Sequence, residues 1–224
     1  MGKKKPTGTT GHFRAAVLPE GQTAGDFVKV QFPHGKEEIE KFVFDRYVQA
    51  MNSGGPPLLT NVTQNPENHF DFTVTIPDGS EQYFDLAEFV LKARNGSPYA
   101  EVGGLISHRD VAGQLLTLVR NKSDHYAKPG AIPIGLLVYV THYRFLPSEE
   151  AIRLVQHGLK TSPPIMQTVQ FVTFRSQDVV HPRMLHPVDG DPLEGHAPET
   201  FQDRMYMKLD PSAFELISNP PSEV

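Results

Sequence analysis

The chain contains no cysteine among its 224 residues, so neither a disulfide nor a thiolate zinc site can form. That absence suits a reducing cytoplasm, the location expected here. No apolar run approaches the roughly 18 residues that a membrane helix needs, so no membrane association is expected. The basic start MGKKKP leads into no apolar h-region, and Pro6 stands where a myristoylation pattern requires Ser or Thr. HExxH, GxSxG, GxGxxG and the Walker A pattern are all missing. Their absence removes the zincin, nucleophile-elbow and glycine-cradle routes to chemistry.

What is present is an ordinary globular composition, 38% hydrophobic and 21% charged, with a formal net charge of −5. That charge gives no global attraction to nucleic acid. Its distribution is uneven. Residues 67–88 carry six carboxylates, Glu67, Asp71, Asp78, Glu81, Asp85 and Glu88, with no Lys or Arg. Residues 89–128 are locally basic, through Lys92, Arg94, Arg109, Arg120, Lys122 and Lys128.

The pattern divides the chain into a flexible arm over 1–35, an α/β core over 36–175 and a Pro/His-rich extension over 176–224. Within the arm, FVKVQF (27–32) reads as one short strand. In KEEIEKFVFDRYVQAMN (36–52), Ile39, Phe42, Val43, Tyr47 and Met51 recur at helical spacing, and Asn52-Ser53-Gly54-Gly55 stops the helix. A strand follows over 58–62. Ser107 caps a second helix over 108–126, with Val111, Leu115, Leu118 and Val119 inward. IPIGLLVYVT (132–141) is continuously apolar and reads as a central strand covered on both faces. Ser148-Glu149-Glu150 opens a third helix to about residue 160, and QTVQFVTF (167–174) is a further strand. Beyond 175, prolines and histidines suggest an extended wrap. The expected class is α/β, a mixed central sheet flanked by helices.

The stretch HFDFTVTIPDGSEQYFDLAEF (69–89) is a hairpin. Pro77-Asp78-Gly79 suits a three-residue loop, with Pro at the second turn position and Gly at the left-handed one. Ile76 then pairs with Ser80, Phe72 faces Phe84 and Phe70 faces Leu86, leaving one apolar face. The other face sets Thr75 against Glu81, Thr73 against Tyr83 and Asp71 against Asp85. A loop of two residues would instead place Phe72 opposite Asp85, against the hydrophobic pattern.

Opposed residues on antiparallel strands have Cβ atoms about 4.5–5.5 Å apart, and like charges there are destabilising. Two carboxylates so placed share a proton, splay into water or bind a cation. Divalent magnesium or manganese prefers such hard oxygen ligands. The bland reading is a solvated sheet face with both aspartates turned outward.

The order helix–strand–hairpin–helix–strand, with Asp71 in "HFDF" and Asp85 in "YFDLAEF", resembles the PD-(D/E)XK, or restriction-endonuclease-like, nuclease superfamily. The likeness spans about residues 36–142, an α-β-β-β-α-β core to which the later helix and strand are additions. It implies an Mg²⁺- or Mn²⁺-dependent nuclease acting on nucleic acid, with Asp71 and Asp85 on the metal and a lysine positioning the attacking water. The motif's lysine position is Ala87, followed by Glu88. The resemblance therefore assigns the cation to a neighbouring helix, as Lys122 in "LLTLVRNKSDHY" or as Lys92. A glutamate from the first helix, Glu38 or Glu40, is also implied, and Gln114 is similar to the glutamine of some nuclease subgroups. The rival expectation is a nuclease fold that has lost its chemistry and serves as a binding or adaptor protein, with a protein partner and no assigned oligomeric state.

Other constellations are blander. His181, His186 and His196 lie in a proline-broken segment without helical two-His spacing. His108-Arg109-Asp110 lacks the asparagine and glycine-rich loop of a kinase. His142 and Tyr143 follow the buried strand and read as a loop cap or a strand-end ligand site. Lys122 and Tyr126 share one helix face and either contact a phosphate or face solvent. The Lys3–Lys5 run reads as a tail.

Overall fold

The structure, a computed structural model, describes residues 10–17, 23–66, 70–92, 105–126 and 133–207. In chain order the elements are β1 (Thr10–Val17), β2 (Thr23–Val30), α1 (Lys36–Met51), β3 (Thr60–Gln64), β4 (Phe72–Thr75), β5 (Glu81–Glu88) and β6 (Leu105–Ser107). There follow α2 (His108–His125), β7 (Ile134–Tyr139), a 3-10 turn (Tyr143–Phe145), α3 (Glu149–Thr161), β8 (Thr168–Phe174), β9 (Val180–His186), α4 (Glu199–Gln202) and β10 (Met205–Met207). The expected order of helices and strands through the core is found, with boundaries shifted by one or two residues.

A mixed six-stranded sheet runs β3-β4-β5-β7-β8-β9. β3, β4 and β5 are antiparallel neighbours, β5, β7 and β8 are parallel, and β9 returns antiparallel on β8. Alternation along the strands divides the core into two clusters, one on each sheet face. Leu137 and Tyr139 of β7 pack with Phe72, Phe84 and Leu86 under Val43, Phe44 and Tyr47 of α1. Leu136 and Val138 pack on the opposite face with Ala87 and Phe171 under α2 and α3. All six residues of β7 are buried, as its unbroken apolar sequence requires. Ser107 accepts from the Asp110 N–H at the start of α2, and Ser148 from the Ala151 N–H at the start of α3, both helix caps as expected.

The hairpin loop closes as its turn residues dictate. The Ile76 N–H donates to Ser80 O at 3.0 Å, and Gly79 adopts φ of 85°, which a side chain would resist. Phe72 pairs with Phe84, Thr73 with Tyr83 and Thr75 with Glu81.

Three expectations need correction. The first concerns Phe70, expected beside Leu86 on the α1 face. The chain bends at Asp71 and turns the Phe70 ring over, onto Tyr83 and Tyr126 under α2. The second is the arm, whose residues 10–17 and 23–30 form an antiparallel pair from Thr10↔Val30 to Val17↔Thr23, with the strand of the second segment ending at Val30. The third is the segment after 175. Val180–His186 carries Pro182 yet joins the sheet, because an edge strand tolerates a residue without an N–H. Residues 205–207 pair with 105–107, a ribbon the sequence did not advertise. The Lys3–Lys5 run, Lys128 and the chain beyond 207 lie outside the described residues.

Candidate functional site

The register of the β4–β5 hairpin brings Asp71, just before β4, alongside Asp85 on β5. The face they share is roofed by α2, because Ala87, two residues beyond Asp85, packs with Val111, Leu115 and Val119. Asp85 is consequently 3% exposed, so the two aspartates are not a solvated sheet face. The Leu86 N–H donates to Asp71 Oδ2 at 2.6 Å, and the two carboxyl groups share a hydrogen bond. The Asn65 N–H donates to Asp71 O at 2.9 Å, and Asn65 Nδ2 donates to Thr73 Oγ1, which fixes the backbone at the bend.

The amphipathic stripe of α2 carries its last turn over Asp85. Lys122 Nζ donates to Asp85 Oδ2 at 2.7 Å, and the Tyr126 hydroxyl also donates to Asp85. Burial and the two aspartates hold the Tyr126 phenol well above its ordinary range, so it acts here as a donor. Among the described residues Asp71 has no such cation in contact. Burial first, then the Asp85 carboxylate, pushes its pKa from 3.8 up to about 7, against the opposing Leu86 N–H. Asp71 thus holds a proton to a much higher pH than a solvated carboxylate does.

These groups line a cavity of about 1000 Å³ whose opposite wall is the first turns of α1. Glu40 is buried there and pairs with Lys36 Nζ at 3.5 Å. The Lys36 ammonium is raised in pKa by Glu40 first and, across the cavity, by Asp71 and Asp85. Gln64 Nε2 donates to Glu37 O and so ties β3 to the start of α1.

The structure thus gathers Asp71, Asp85 and Lys122, and it places both Glu38 and Glu40 on the lining, Glu40 the deeper. Lys92 and Gln114 are not on that lining. The Lys92 N–H instead donates to Gln114 Oε1 at 2.8 Å, which holds the strand exit against α2. Glu88 points to the other sheet face and accepts from Thr141 Oγ1. Lys36 and Tyr126 belong to the cavity as well. Lys36 carries a sequence signal, its four-residue spacing from Glu40 on one helix face.

The histidine clusters resolve differently. His108 opens α2, is buried, stacks on Tyr206 at 4.8 Å and meets Ser148 Oγ at 2.6 Å, which joins α2, α3 and β10. His142 Nδ1 accepts from the Arg144 N–H and stacks on Tyr143, the loop-cap arrangement.

Among the described residues no three His, Asp or Glu side chains converge closely enough to form a ready-made metal cage. A magnesium ion does not require one, because it keeps several waters and is held by one or two carboxylates together with substrate phosphate. Two adjacent carboxylates fit that donor set, the proton held on Asp71 being released as an ion binds. Set against family models, curated proteins and solved structures, the chain matches none of them.

Proposed function

We propose that this protein is a divalent-metal-dependent nuclease of the restriction-endonuclease-like type, hydrolysing phosphodiesters in nucleic acid. The observation that carries the reading is the buried Asp71–Asp85 pair with the Lys122 ammonium 2.7 Å from Asp85, inside a cavity of about 1000 Å³. A helix–strand–hairpin–helix–strand order around these residues supports it further.

Asp71 and Asp85 hold the ion, Mg²⁺ or Mn²⁺, through their carboxylate oxygens. Such an ion orients a phosphate and lowers the pKa of an attacking water. Lys122 supplies the positive charge that the motif lysine would, since position 87 is a buried alanine inside an apolar cluster. Its ammonium offsets negative charge growing on the phosphate, in a pocket whose low exposure strengthens that attraction. Tyr126, held protonated, donates to Asp85 and fixes its orientation.

The second reading is a binding or adaptor protein on the same fold without turnover, and Ala87 is what favours it. Calorimetric titration of Mn²⁺ into the wild type and into Asp71→Asn/Asp85→Asn, followed by a cleavage assay on both, separates the two. Saturable binding and cleavage, both lost in the double variant, are expected. Binding without cleavage on any nucleic-acid substrate favours the adaptor, and equal binding in both proteins removes the metal site altogether.

A further inference from the structure

Beside the carboxylate pair the cavity is lined by one aromatic ring, Tyr126, and two further rings stand behind it. Tyr126, whose hydroxyl donates to Asp85, has its ring 5.2 Å from that of Phe70 at an interplanar angle of 32°. Phe70 in turn lies 5.1 Å from Tyr83 at 43°. His125 stands edge-on to Tyr126 at 4.9 Å. Phe70, Tyr83 and Tyr126 are each only partly buried, and this ring chain exists because the bend at Asp71 turns Phe70 onto the α2 face. Of these rings Tyr126 is the one on the cavity lining, backed by Phe70 and, through it, by Tyr83.

Two further features bear on what can enter. Asp85 is 3% exposed, so a scissile phosphate must descend into the cavity to reach it. Duplex DNA is stiff, with a persistence length of about 50 nm, so following a recess costs it a deformation energy that a flexible single strand largely avoids. The cavity lining also carries five carboxylates against the two ammonium groups of Lys36 and Lys122. Duplex DNA presents one charge about every 1.7 Å of axis, and its affinity comes mainly from basic contacts to many phosphates. An acidic mouth with two cations offers few such contacts. Single strands gain affinity in another way, since each base stacked on an aromatic side chain contributes about 1–3 kcal/mol.

We propose that the strand this site takes is single-stranded nucleic acid, with a base next to the bound phosphate stacked on the Tyr126 ring that Phe70 backs. The proposal rests on the nuclease reading of the cavity and adds its substrate class. Lys36 and Lys122, on opposite walls of the carboxylate pair, then take neighbouring phosphates of the same strand.

The test is fluorescence anisotropy with a labelled 12-nucleotide single strand, made as DNA and as RNA, and with the DNA duplex of that sequence. Ca²⁺ replaces Mg²⁺ so that binding is read without turnover. At least tenfold tighter binding of one single strand than of the duplex is expected, and the preferred sugar identifies the source. Tyr126→Leu should weaken that binding by about 5- to 150-fold, the loss of one stacked base. Tyr126→Phe and Tyr126→Trp, which restore a ring, should recover most of it. Circular dichroism of Tyr126→Leu checks that the variant is folded, and Phe70→Leu, which removes the ring backing Tyr126, should weaken binding by a smaller factor.

Duplex bound as tightly as either single strand, or single-strand binding indifferent to Tyr126→Leu, overturns the proposal. If Mn²⁺ binding and cleavage of duplex persist in that case, the nuclease reading survives without it. Conversely, single-strand binding that depends on the Tyr126 ring, with no cleavage at any metal concentration, upholds the stacking and sinks the catalytic reading.

Discussion

Replacing Asp71 by Asn should stabilise the metal-free protein while abolishing its metal response. Asn keeps an oxygen to accept from the Leu86 N–H and deletes the charge facing Asp85. Two unit charges about 4 Å apart repel by about 4 kcal/mol at an effective dielectric constant near 20. Asp85 already faces the Lys122 ammonium at 2.7 Å and Asp71 is only partly buried, so the net gain is smaller. About 1–2 kcal/mol at pH 8 is the expected stabilisation, or roughly 2–8 °C in Tm for a chain of this size.

The sign depends on pH. The folded-state pKa of Asp71, about 7, lies above the ordinary 3.8, so stability is greatest below 3.8 and falls as pH rises through 7. The advantage of Asp71→Asn over the wild type therefore grows across that window, complete at pH 8 and well under half as large at pH 5. Thermal melting in EDTA at both values measures it. Adding Mn²⁺ to about 100 times its Kd should then raise wild-type stability by about 2.7 kcal/mol and leave Asp71→Asn unmoved. A lower Tm for Asp71→Asn at pH 8, or an equal gain at both pH values, would refute the like-charge account of the pair.

Lys122→Ala removes the contacting ammonium from a buried carboxylate. A loss of about 2 kcal/mol is expected in urea denaturation, below the roughly 3–5 kcal/mol of a fully buried pair because Lys122 is 32% exposed. Gly135→Ala places a Cβ 2.6 Å from Cε1 of Phe84 and 3.0 Å from Thr168 Oγ1, so about 1–3 kcal/mol of stability should be lost. A neutral result there would mean that the Phe84 ring moves freely. Tyr47→Phe strands the Gln170 amide, which now donates to the Tyr47 hydroxyl at 2.9 Å inside the core, and should cost about 1–3 kcal/mol. Tyr47→Phe/Gln170→Leu should recover part of that loss, since neither buried polar partner remains.

Local chemistry wrote much of this protein legibly into the chain. Pro77-Asp78-Gly79 specifies the hairpin loop, the loop specifies the register, and the register sets Asp71 beside Asp85, all within one short stretch of sequence. The spacing of Val111, Leu115 and Val119 specifies the buried face of α2, and the unbroken apolar run of β7 specifies its central place. Each of these follows from backbone geometry and side-chain periodicity, which operate over a few residues.

Only the tertiary structure decided the rest. Whether the aspartate face met water or protein depended on α2 folding back over β5, since an alternating strand reads the same in either case. Lys122 rather than Lys92 reaches Asp85 because the last turn of α2 lies over the carboxylates, while the exit of β5 leads Lys92 away to Gln114. Burial of Glu40 depended on where α1 begins relative to the bend at Asp71. That bend also turned Phe70 to the other face, where alternation by itself had placed it beside Leu86. β9 shows the same limit: Pro182 breaks the strand pattern, and only a neighbour such as β8, with a free edge to pair, makes those residues a strand. Such outcomes arise from contacts between segments far apart in the chain, and no local pattern encodes which segment arrives.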